Sequence, residues 1–219
     1  MSTTSEENYM KVIFKLSHEL KKEVTTNIIA EHMATKASSV TDMVQKLADK
    51  NLVNYIKYQG VTLTSEGEEL AIRIVRKHRL WELFLFKTLG FKWNEIHEIA
   101  EELEHIKSDV LIEKLDKFLN FPRNDPHGDP IPDAKGNFPE SNSFLLSRLN
   151  KGITGIVVGV NDKSSAFLAY LDKIGIQLGT KIEIVEFHEY DNSVDIRINE
   201  LKIIHISNQV VQNILMTEK

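Results

Sequence analysis

Residues 25–50 read TTNIIAEHMATKASSVTDMVQKLADK, and this stretch decides the fold of the N-terminal part of the chain. Its beginning predicts a short helix that buries Ile28 and Ile29, and a break follows at Ala34-Thr35-Lys36. The second helix, residues 37–50, has apolar residues on one face and hydroxyl and amide side chains on the other. A short helix, a tight turn and a helix with a polar outer face are typical of a helix-turn-helix.

The residues that follow predict a β-hairpin, the wing of a winged helix-turn-helix. Residues 52–64 alternate between apolar and polar side chains, with a turn at Gln59-Gly60. Residues 34–60 contain more lysines than aspartates, although the whole chain has a net charge of -5. Exposed hydroxyls, a helix N-terminus and local positive charge suit the phosphates of double-stranded DNA. A purely structural three-helix unit is the alternative. The side chains expected to face DNA are Lys36, Ser38, Ser39, Thr41, Asp42, Gln45, Lys46, Lys57 and Tyr58.

Upstream of this unit, an apolar stripe that includes Tyr9 and Ile13 predicts a first helix over residues 5–20. Ser5 is expected to cap it. Asn8 lies close to its start, where a short side-chain carbonyl can accept a hydrogen bond, cap the helix or ligate a metal.

The stretch His97-Glu98-Ile99-Ala100-Glu101-Glu102-Leu103-Glu104-His105 concentrates groups that can bind a metal. We read it as part of a helix over residues 92–106. At about 100° per residue, its ligand-type side chains fall on one flank and its apolar side chains on a separate face. Two imidazoles and two carboxylates on one strip can hold a divalent cation. The alternative is the solvated acidic face of an amphipathic helix. The four candidates are His97, Glu101, Glu104 and His105.

A long helix is predicted from Thr64 to Leu89, and His78 and Glu82 interrupt its apolar stripe. Polar groups on a core-facing surface are costly unless they pair or bind a metal, and a buried His–Glu hydrogen bond is the alternative. Another amphipathic helix is expected over residues 108–119. Together the two long helices offer more apolar surface than a small winged domain can cover, which predicts a homodimer interface.

All five prolines lie between Phe121 and Pro139, and this shift in composition marks a linker and a domain boundary. The segment contains Asp125-Pro126-His127-Gly128. This sequence forms either a simple turn or a loop that delivers Asp125 or His127 to a metal.

The last third of the chain is composed of short strand patterns interrupted by one short helix near residues 164–174. Such a pattern predicts a small, partly open SH3-like barrel. It contains no catalytic constellation. His188 and His205 are single histidines in the sequence, and we expect them to be structural.

Composition excludes several classes of protein. The 219 residues suit one large or two small domains, and the absence of cysteine excludes disulfides and thiolate metal sites and fits a reducing cytoplasm. No apolar run reaches about 18 residues, and the N-terminus is polar and acidic. We therefore expect a cytoplasmic protein with no membrane association.

Taken together, these motifs resemble the diphtheria-toxin-repressor family of metal-dependent transcriptional regulators, over nearly the whole chain. The resemblance rests on motifs spread along the sequence, of which the pair Arg-Lys-His-Arg (76–79) and Glu-x-x-Glu-His (101–105) is the most specific. The others are Glu7-Asn8-Tyr9-Met10, residues 38–47, Leu63-Thr64-Ser65-Glu66-Gly67 and residues 125–132.

The resemblance implies an α+β protein of three parts. These are a winged helix-turn-helix (1–65), a helical dimerisation and metal-binding domain with the Pro-rich linker (66–140), and an SH3-like, FeoA-like domain (141–219). His78, Glu101, Glu104 and His105 match metal ligands of the family, Asn8 stands where relatives have Met or Asp, and Glu82 and His97 match a second site. Lys11 replaces an acidic ligand of one manganese sensor, which argues against that two-metal cluster. The equivalent loop supplies a metal ligand in some relatives, so the resemblance implies that Asp125 or His127 could complete a metal site.

The expected function is therefore a repressor, not an enzyme, that binds operators of metal-uptake genes when Mn²⁺ or Fe²⁺ is bound. Oxygen donors with little sulfur favour Mn²⁺, then Fe²⁺, although other divalent transition metals can bind in vitro. No organic cofactor is expected. The alternative is a winged-helix regulator of a non-metal effector, with a structural His/Glu cluster.

Overall fold

The computed structural model describes residues 2–20, 23–57, 59–140 and 142–218, and the chain divides into two compact units. Unit 1 comprises Met1–His78, Glu101–Val110 and Pro132–Asn137. Unit 2 comprises Arg79–Ala100, Leu111–Ile131 and Phe138–Lys219. None of the described helices combines the length and apolar character needed to cross a membrane.

Unit 1 contains the expected winged helix-turn-helix. Its elements in chain order are α1 (Thr4–Leu20), α2 (Thr26–His32), α3 (Ala37–Asp49), β1 (Val53–Ile56) and β2 (Gly60–Leu63). The strands β1 and β2 pair in antiparallel fashion, and backbone hydrogen bonds between Val24 and Val61 fix the wing to the segment before α2. One apolar core, which includes Ile13, Val44 and Val61, is shared by the helices and the wing. The wing residue Tyr58 lies outside the described residues.

The start of α1 differs from the expectation, because Ser5 does not cap it. Thr3 does so instead: its hydroxyl accepts from the backbone N–H of Glu6, and the Glu6 carboxylate accepts from the backbone N–H of Thr3. This reciprocal capping box satisfies two of the N–H groups that a helix start leaves unpaired. Both Ser5 and Thr3 are suitable capping residues, and only the glutamate three positions later distinguishes them.

The long helix α4 (Ser65–Lys87) begins where Thr64 accepts a hydrogen bond from the backbone N–H of Gly67. Gly67 is buried, and a Cβ atom added there would lie 1.9 Å from the carbonyl oxygen of Leu52 and 3.0 Å from the methyl carbon of Met10. A glycine is therefore required for α4 to approach the chain just before the wing.

We expect Gly67→Ala to destabilise the protein by about 1–3 kcal/mol, because this clash with backbone outweighs the better helix propensity of alanine, about 1 kcal/mol. Thermal unfolding followed by circular dichroism measures the effect. Glu68→Ala is the matched control, since Glu68 is exposed in the same turn of α4. Equal melting temperatures of the two variants would contradict the close approach.

Helix α5 (Ile96–Leu103) is shorter than expected, and α6 (Asp109–Phe118) follows it. Glu104 and His105 lie in the turn after α5, so the predicted helix over residues 92–106 was too long at both ends. Within unit 1, the ammonium of Lys77 donates to the carbonyl of Ile106 and stabilises this turn. The amphipathic pattern of the sequence continues past Leu103, but the helix ends there.

The C-terminal part of unit 2 is the expected small β-domain. A six-stranded antiparallel sheet has the order β3-β8-β4-β5-β6-β7, and its inner face buries Ile182, Ile184 and Ile196. The last strand, Ile214–Glu218, was not identified from the sequence. The remaining elements are β3 (Phe144–Leu145), a 3₁₀ turn (Leu146–Arg148), β4 (Thr154–Val160), α7 (Ser165–Ile174), β5 (Lys181–Phe187), β6 (Val194–Ile198), β7 (Lys202–Ile206), α8 (Asn208–Val211) and β8 (Ile214–Glu218). The fold class is α+β, as expected.

Candidate metal centre

A cluster of charged and polar side chains lies within unit 1, the unit that contains the helix-turn-helix. Three of its members are on α1, one is on α4, one is on α5 and two are in the turn after α5. We call these residues the first cluster: Glu7, Asn8, Lys11, His78, Glu101, Glu104 and His105.

The carboxylate of Glu104 is the centre of this cluster and is fully buried. Lys11 Nζ lies 2.7 and 2.8 Å from its two oxygens and 2.5 Å from Oε1 of Glu101. Nδ1 of His78 lies 2.7 Å from Oε2 of Glu104. Because a buried charge is tolerated only when it is paired, these contacts hold the carboxylates of Glu101 and Glu104 close together.

His105 connects Glu104 with α1. Its Nδ1 lies 2.6 Å from Oε2 of Glu7, and its Nε2 lies 3.8 Å from Oε1 of Glu104. The other oxygen of Glu7 accepts a hydrogen bond of 2.5 Å from Ser2. The imidazole is therefore placed between two carboxylates that belong to separate segments of unit 1.

Asn8 adds a neutral side-chain oxygen on α1. Its Oδ1 is buried and has no hydrogen-bond partner among the described residues. An unsatisfied buried acceptor costs about 1–3 kcal/mol, so this oxygen needs a donor, a water molecule or a cation. Asn8 and Lys11 are three residues apart and therefore lie on the same side of α1.

The donor set of the first cluster fits a divalent cation. It offers three carboxylates, one orphaned amide oxygen and two imidazoles, and hard or borderline ions prefer these ligands. No cysteine is present, and Met10 is fully buried in the core that α1 shares with the helix-turn-helix. The cluster is thus rich in oxygen and poor in sulfur.

Two features of the first cluster were not predicted from sequence. Glu7 belongs to one of the family motifs but was not predicted as a ligand; its spacing of four residues from Lys11 places both on one side of α1 and is the only local signal. The second feature is the position where helix α5 ends. The expected strip on one helix flank is wrong, because Glu104 and His105 lie beyond the end of α5.

A second cluster lies within unit 2 and contains Glu82, His97 and His127. Nδ1 of His97 lies 3.3 Å from Oε1 of Glu82, and Nε2 of His127 lies 3.5 Å from the same oxygen. Glu82 and His127 are each 2% exposed, and His127 stacks on Trp93 with ring centroids 5.8 Å apart. His127 Nδ1 has no hydrogen-bond partner among the described residues. The structure thus brings His127 to the pair that sequence suggested as a second site.

The neighbouring Asp125 organises the loop that carries His127. Its Oδ1 accepts hydrogen bonds from the backbone N–H groups of His127 and Asp129, while its Oδ2 is buried without a hydrogen-bond partner among the described residues. Burial, reinforced by the negative charges of Asp129 and Glu82, raises the pKa of Asp125 to about 7. A positive charge placed beside Asp125 would therefore stabilise its ionised form.

Asp129, in the same loop, pairs with Arg79 and Lys163, and these cations hold its pKa below the usual range despite burial. Lys163, which lies just before α7, therefore contributes a cation to this loop.

The side chains expected to face DNA are on the outer surface of α3 and the wing. Thr41 is half-buried, and its hydroxyl donates to the carbonyl of Ala37 within α3. The exposed members of the set are Lys36, Ser38, Ser39, Asp42, Gln45, Lys46 and Lys57.

Comparison with known proteins agrees with this organisation. Three family models match the chain in sequence order: the iron dependent repressor N-terminal DNA binding domain over residues 1–61, the iron dependent repressor metal binding and dimerisation domain over 64–133, and the FeoA domain over 144–218. Together they account for nearly the whole chain.

Individual relatives give the same picture. The iron-dependent repressor IdeR of Mycobacterium tuberculosis is 33% identical over 158 residues, which cover 70% of this chain and 68% of that protein. The HTH-type transcriptional regulator MntR of Oceanobacillus iheyensis is 36% identical over 125 residues, which cover 57% of this chain and 84% of that protein. A solved manganese-dependent transcriptional repressor in complex with manganese is 34% identical, with a TM-score of 0.82 over 98% of this chain and all of that one.

A winged helix-turn-helix followed by a metal-binding and dimerisation domain defines a class of metal-responsive DNA-binding proteins. The chain belongs to the iron-dependent repressor family, which is the diphtheria-toxin-repressor family that the sequence motifs indicated. It is a metal-dependent transcriptional repressor with a C-terminal FeoA domain.

Proposed function

We propose that this repressor binds its operator as a homodimer when Mn²⁺, or alternatively Fe²⁺, is bound at the first cluster, and that the operators control metal-uptake genes. The observation that carries the proposal is the contact between His105 and Glu7, because it joins the metal-ligating segment after α5 to α1. Helix α1 in turn packs against α2, α3 and β2 in the core of the DNA-binding unit.

The proposed ligands at the first cluster are Asn8, His78, Glu101, Glu104 and His105, to which we add Glu7. A bound divalent ion supplies two positive charges among three carboxylates. Glu7 and Asn8 bind from α1, and Glu101, Glu104 and His105 bind from the opposite segment, so the two segments are drawn together. The buried Asn8 oxygen without a donor supports the inclusion of α1 in the site.

The proposed preference for Mn²⁺ over softer ions follows from the donors. Carboxylate and amide oxygens outnumber nitrogens, and the nearest sulfur in the sequence, that of Met10, is buried in the apolar core. Zn²⁺, Co²⁺ and Ni²⁺ still bind tightly in vitro under the Irving–Williams order. Geometry and metal supply would then decide which ion acts in the cell.

We assign the second cluster to a second metal position with Glu82, His97 and His127 as ligands and Asp125 as a further candidate. Two observations support this assignment: His97 and His127 approach the same oxygen of Glu82, and the buried atoms His127 Nδ1 and Asp125 Oδ2 have no hydrogen-bond partner among the described residues. Because His127 is carried by the Pro-rich loop, occupancy here would fix that loop within unit 2.

On the DNA side, we propose that α3 enters the major groove and that Lys57 of the wing contacts the backbone. The support is exposure: the side chains of Ser38, Ser39, Asp42, Gln45 and Lys46 on α3 face solvent. Positive charge is supplied by the exposed Lys36, Lys46 and Lys57. Metal that orders α1 would fix the position of α3. A coupling of about 1–3 kcal/mol would then change operator affinity by about 5–150-fold.

For the homodimer, the support is a set of large apolar side chains that unit 2 leaves exposed. Phe118 and Phe121 are each 65% exposed, and Leu89 is 56% exposed. Aromatic and aliphatic groups at this level of exposure are typical of interface cores.

A gel shift with the DNA upstream of the protein's own gene tests the proposal. We expect Mn²⁺ to raise operator affinity by about 5–150-fold, while Mg²⁺, which prefers an octahedral shell of oxygen and water, has little effect. Operator binding that is unchanged by Mn²⁺ and Fe²⁺ would reject the metal-responsive site and favour a non-metal effector.

A further inference from the structure

The C-terminal β-domain brings together two histidines and an aspartate, which we call the third cluster: His188, Asp195 and His205. Nδ1 of His205 lies 2.8 Å from Oδ1 of Asp195, and Nε2 of His188 lies 3.2 Å from Oδ2. The two imidazole rings are 5.2 Å apart between centroids. These two histidines, which are single in the sequence and were expected to be structural, each contact one oxygen of the same carboxylate.

The sheet fixes this arrangement. Asp195 on β6 and His205 on β7 are directly opposite each other in the antiparallel register, where side chains lie on the same face. His188 is held at the base of the turn between β5 and β6 by two backbone hydrogen bonds, His188 N–H to Ser193 O and Asn192 N–H to His188 O. Three ligand-type groups are thus presented by three consecutive antiparallel strands, β5, β6 and β7, and the turn between the first two.

One nitrogen in the cluster is poorly satisfied. Nε2 of His188 is almost inaccessible to solvent, and it lies 3.2 Å from Oδ2 of Asp195 without the alignment of a hydrogen bond. A polar atom that has lost water without gaining a well-aligned hydrogen bond is costly. A cation bound between this nitrogen and the carboxylate would remove the cost.

We propose that His188, Asp195 and His205 bind a borderline divalent transition-metal ion of the Zn²⁺ class, at a site separate from the two clusters of the repressor mechanism. Two imidazole nitrogens and one carboxylate oxygen are a preferred ligand set for Zn²⁺, with water completing the coordination. One donor atom from each residue lies within 4.8 Å of the others. Ligands of a tetrahedral zinc ion are about 3.4 Å apart, so small side-chain rotations suffice.

The charges and exposure of the cluster agree with ion binding. The hydrogen bond from His205 lowers the pKa of Asp195, which is therefore an anion at neutral pH. The side chains of His188 and His205 are 37% and 59% exposed, so an ion can enter from solvent. With two nitrogens among three ligands, this site favours a softer ion than the oxygen-rich first cluster does.

Equilibrium dialysis of the full-length protein against micromolar Zn²⁺, followed by elemental analysis, tests the proposal. We expect His205→Ala to bind one zinc ion fewer per chain than the wild type. Asp195→Asn, which keeps the shape of the side chain but removes its charge, should weaken this zinc site about 10-fold or more. Tyr190→Ala is the matched control, since Tyr190 is fully exposed in the same turn.

The same zinc content in the wild type and in His205→Ala would overturn the proposal. A gel shift distinguishes this failure from failure of the proposed function, because His205→Ala should retain the full response of operator binding to Mn²⁺. A wild type that lacks the Mn²⁺ response would reject the first-cluster assignment and leave the zinc result unaffected. Thermal melting confirms that each variant is folded.

Discussion

His105→Ala should remove the whole Mn²⁺-dependent gain in operator affinity, about 5–150-fold, and leave the weak metal-independent binding in place. The reason is geometric. His105 contacts Glu7 on α1 through Nδ1 and approaches Glu104 through Nε2, so its imidazole connects α1 with the segment after α5. Alanine removes a proposed ligand and this connection together. A gel shift in a Mn²⁺ titration measures the loss.

His18→Ala is the control for this variant. His18 is exposed near the end of α1, and its ring contacts Phe14 rather than any member of the first cluster. We expect it to retain the wild-type response. If His105→Ala still responded to Mn²⁺ like the wild type, His105 could not be a ligand, and the link between α1 and the metal would have to be made elsewhere.

Lys11→Met should destabilise the metal-free protein by about 3–5 kcal/mol and increase the stabilisation that Mn²⁺ provides. The Lys11 ammonium neutralises Glu101 and the fully buried Glu104. Without it, these carboxylates lose their closest cation, and the greater local negative charge attracts a divalent ion more strongly. Methionine has a similar length and fills the same space. Thermal melting with and without Mn²⁺ measures both effects.

Lys15→Met controls for the loss of a positive charge on α1, because Lys15 is exposed one turn further along the helix. We expect it to change neither the stability nor the Mn²⁺ shift. The opposite result for Lys11→Met, a smaller Mn²⁺ shift than in the wild type, would mean that the ammonium supports the metal site instead of competing with the ion for the same carboxylates.

Elements that depend on local pattern were largely predictable. The helix-turn-helix and the wing, for example, each follow from a short run of periodic residues and a turn signal. The end of α5 and the strand β8 were not. The apolar repeat continues beyond Leu103, while β8 exists only because the sheet inserts it between β3 and β4, two strands that lie far from it in sequence.

The candidate ligands, too, were predictable only where the sequence carries a local signal. The interruption of the α4 stripe by His78 and Glu82 was visible in sequence, because a charged pair on an apolar face is locally anomalous. Glu7 was not singled out, since an acidic residue in the first turn of a helix is ordinary. Its proximity to His105, 98 positions later, is a long-range contact.

The sequence by itself therefore determined the class of protein, the DNA-binding module and most of the candidate ligands, because residue type and spacing record local structure. Only the tertiary structure decided which of these residues meet. Lys11 lies against Glu104, His127 reaches Glu82, and His188 shares Asp195 with His205. Each meeting depends on strand register or on packing between distant segments, where the free energy of the whole fold, and not any local pattern, sets the distances.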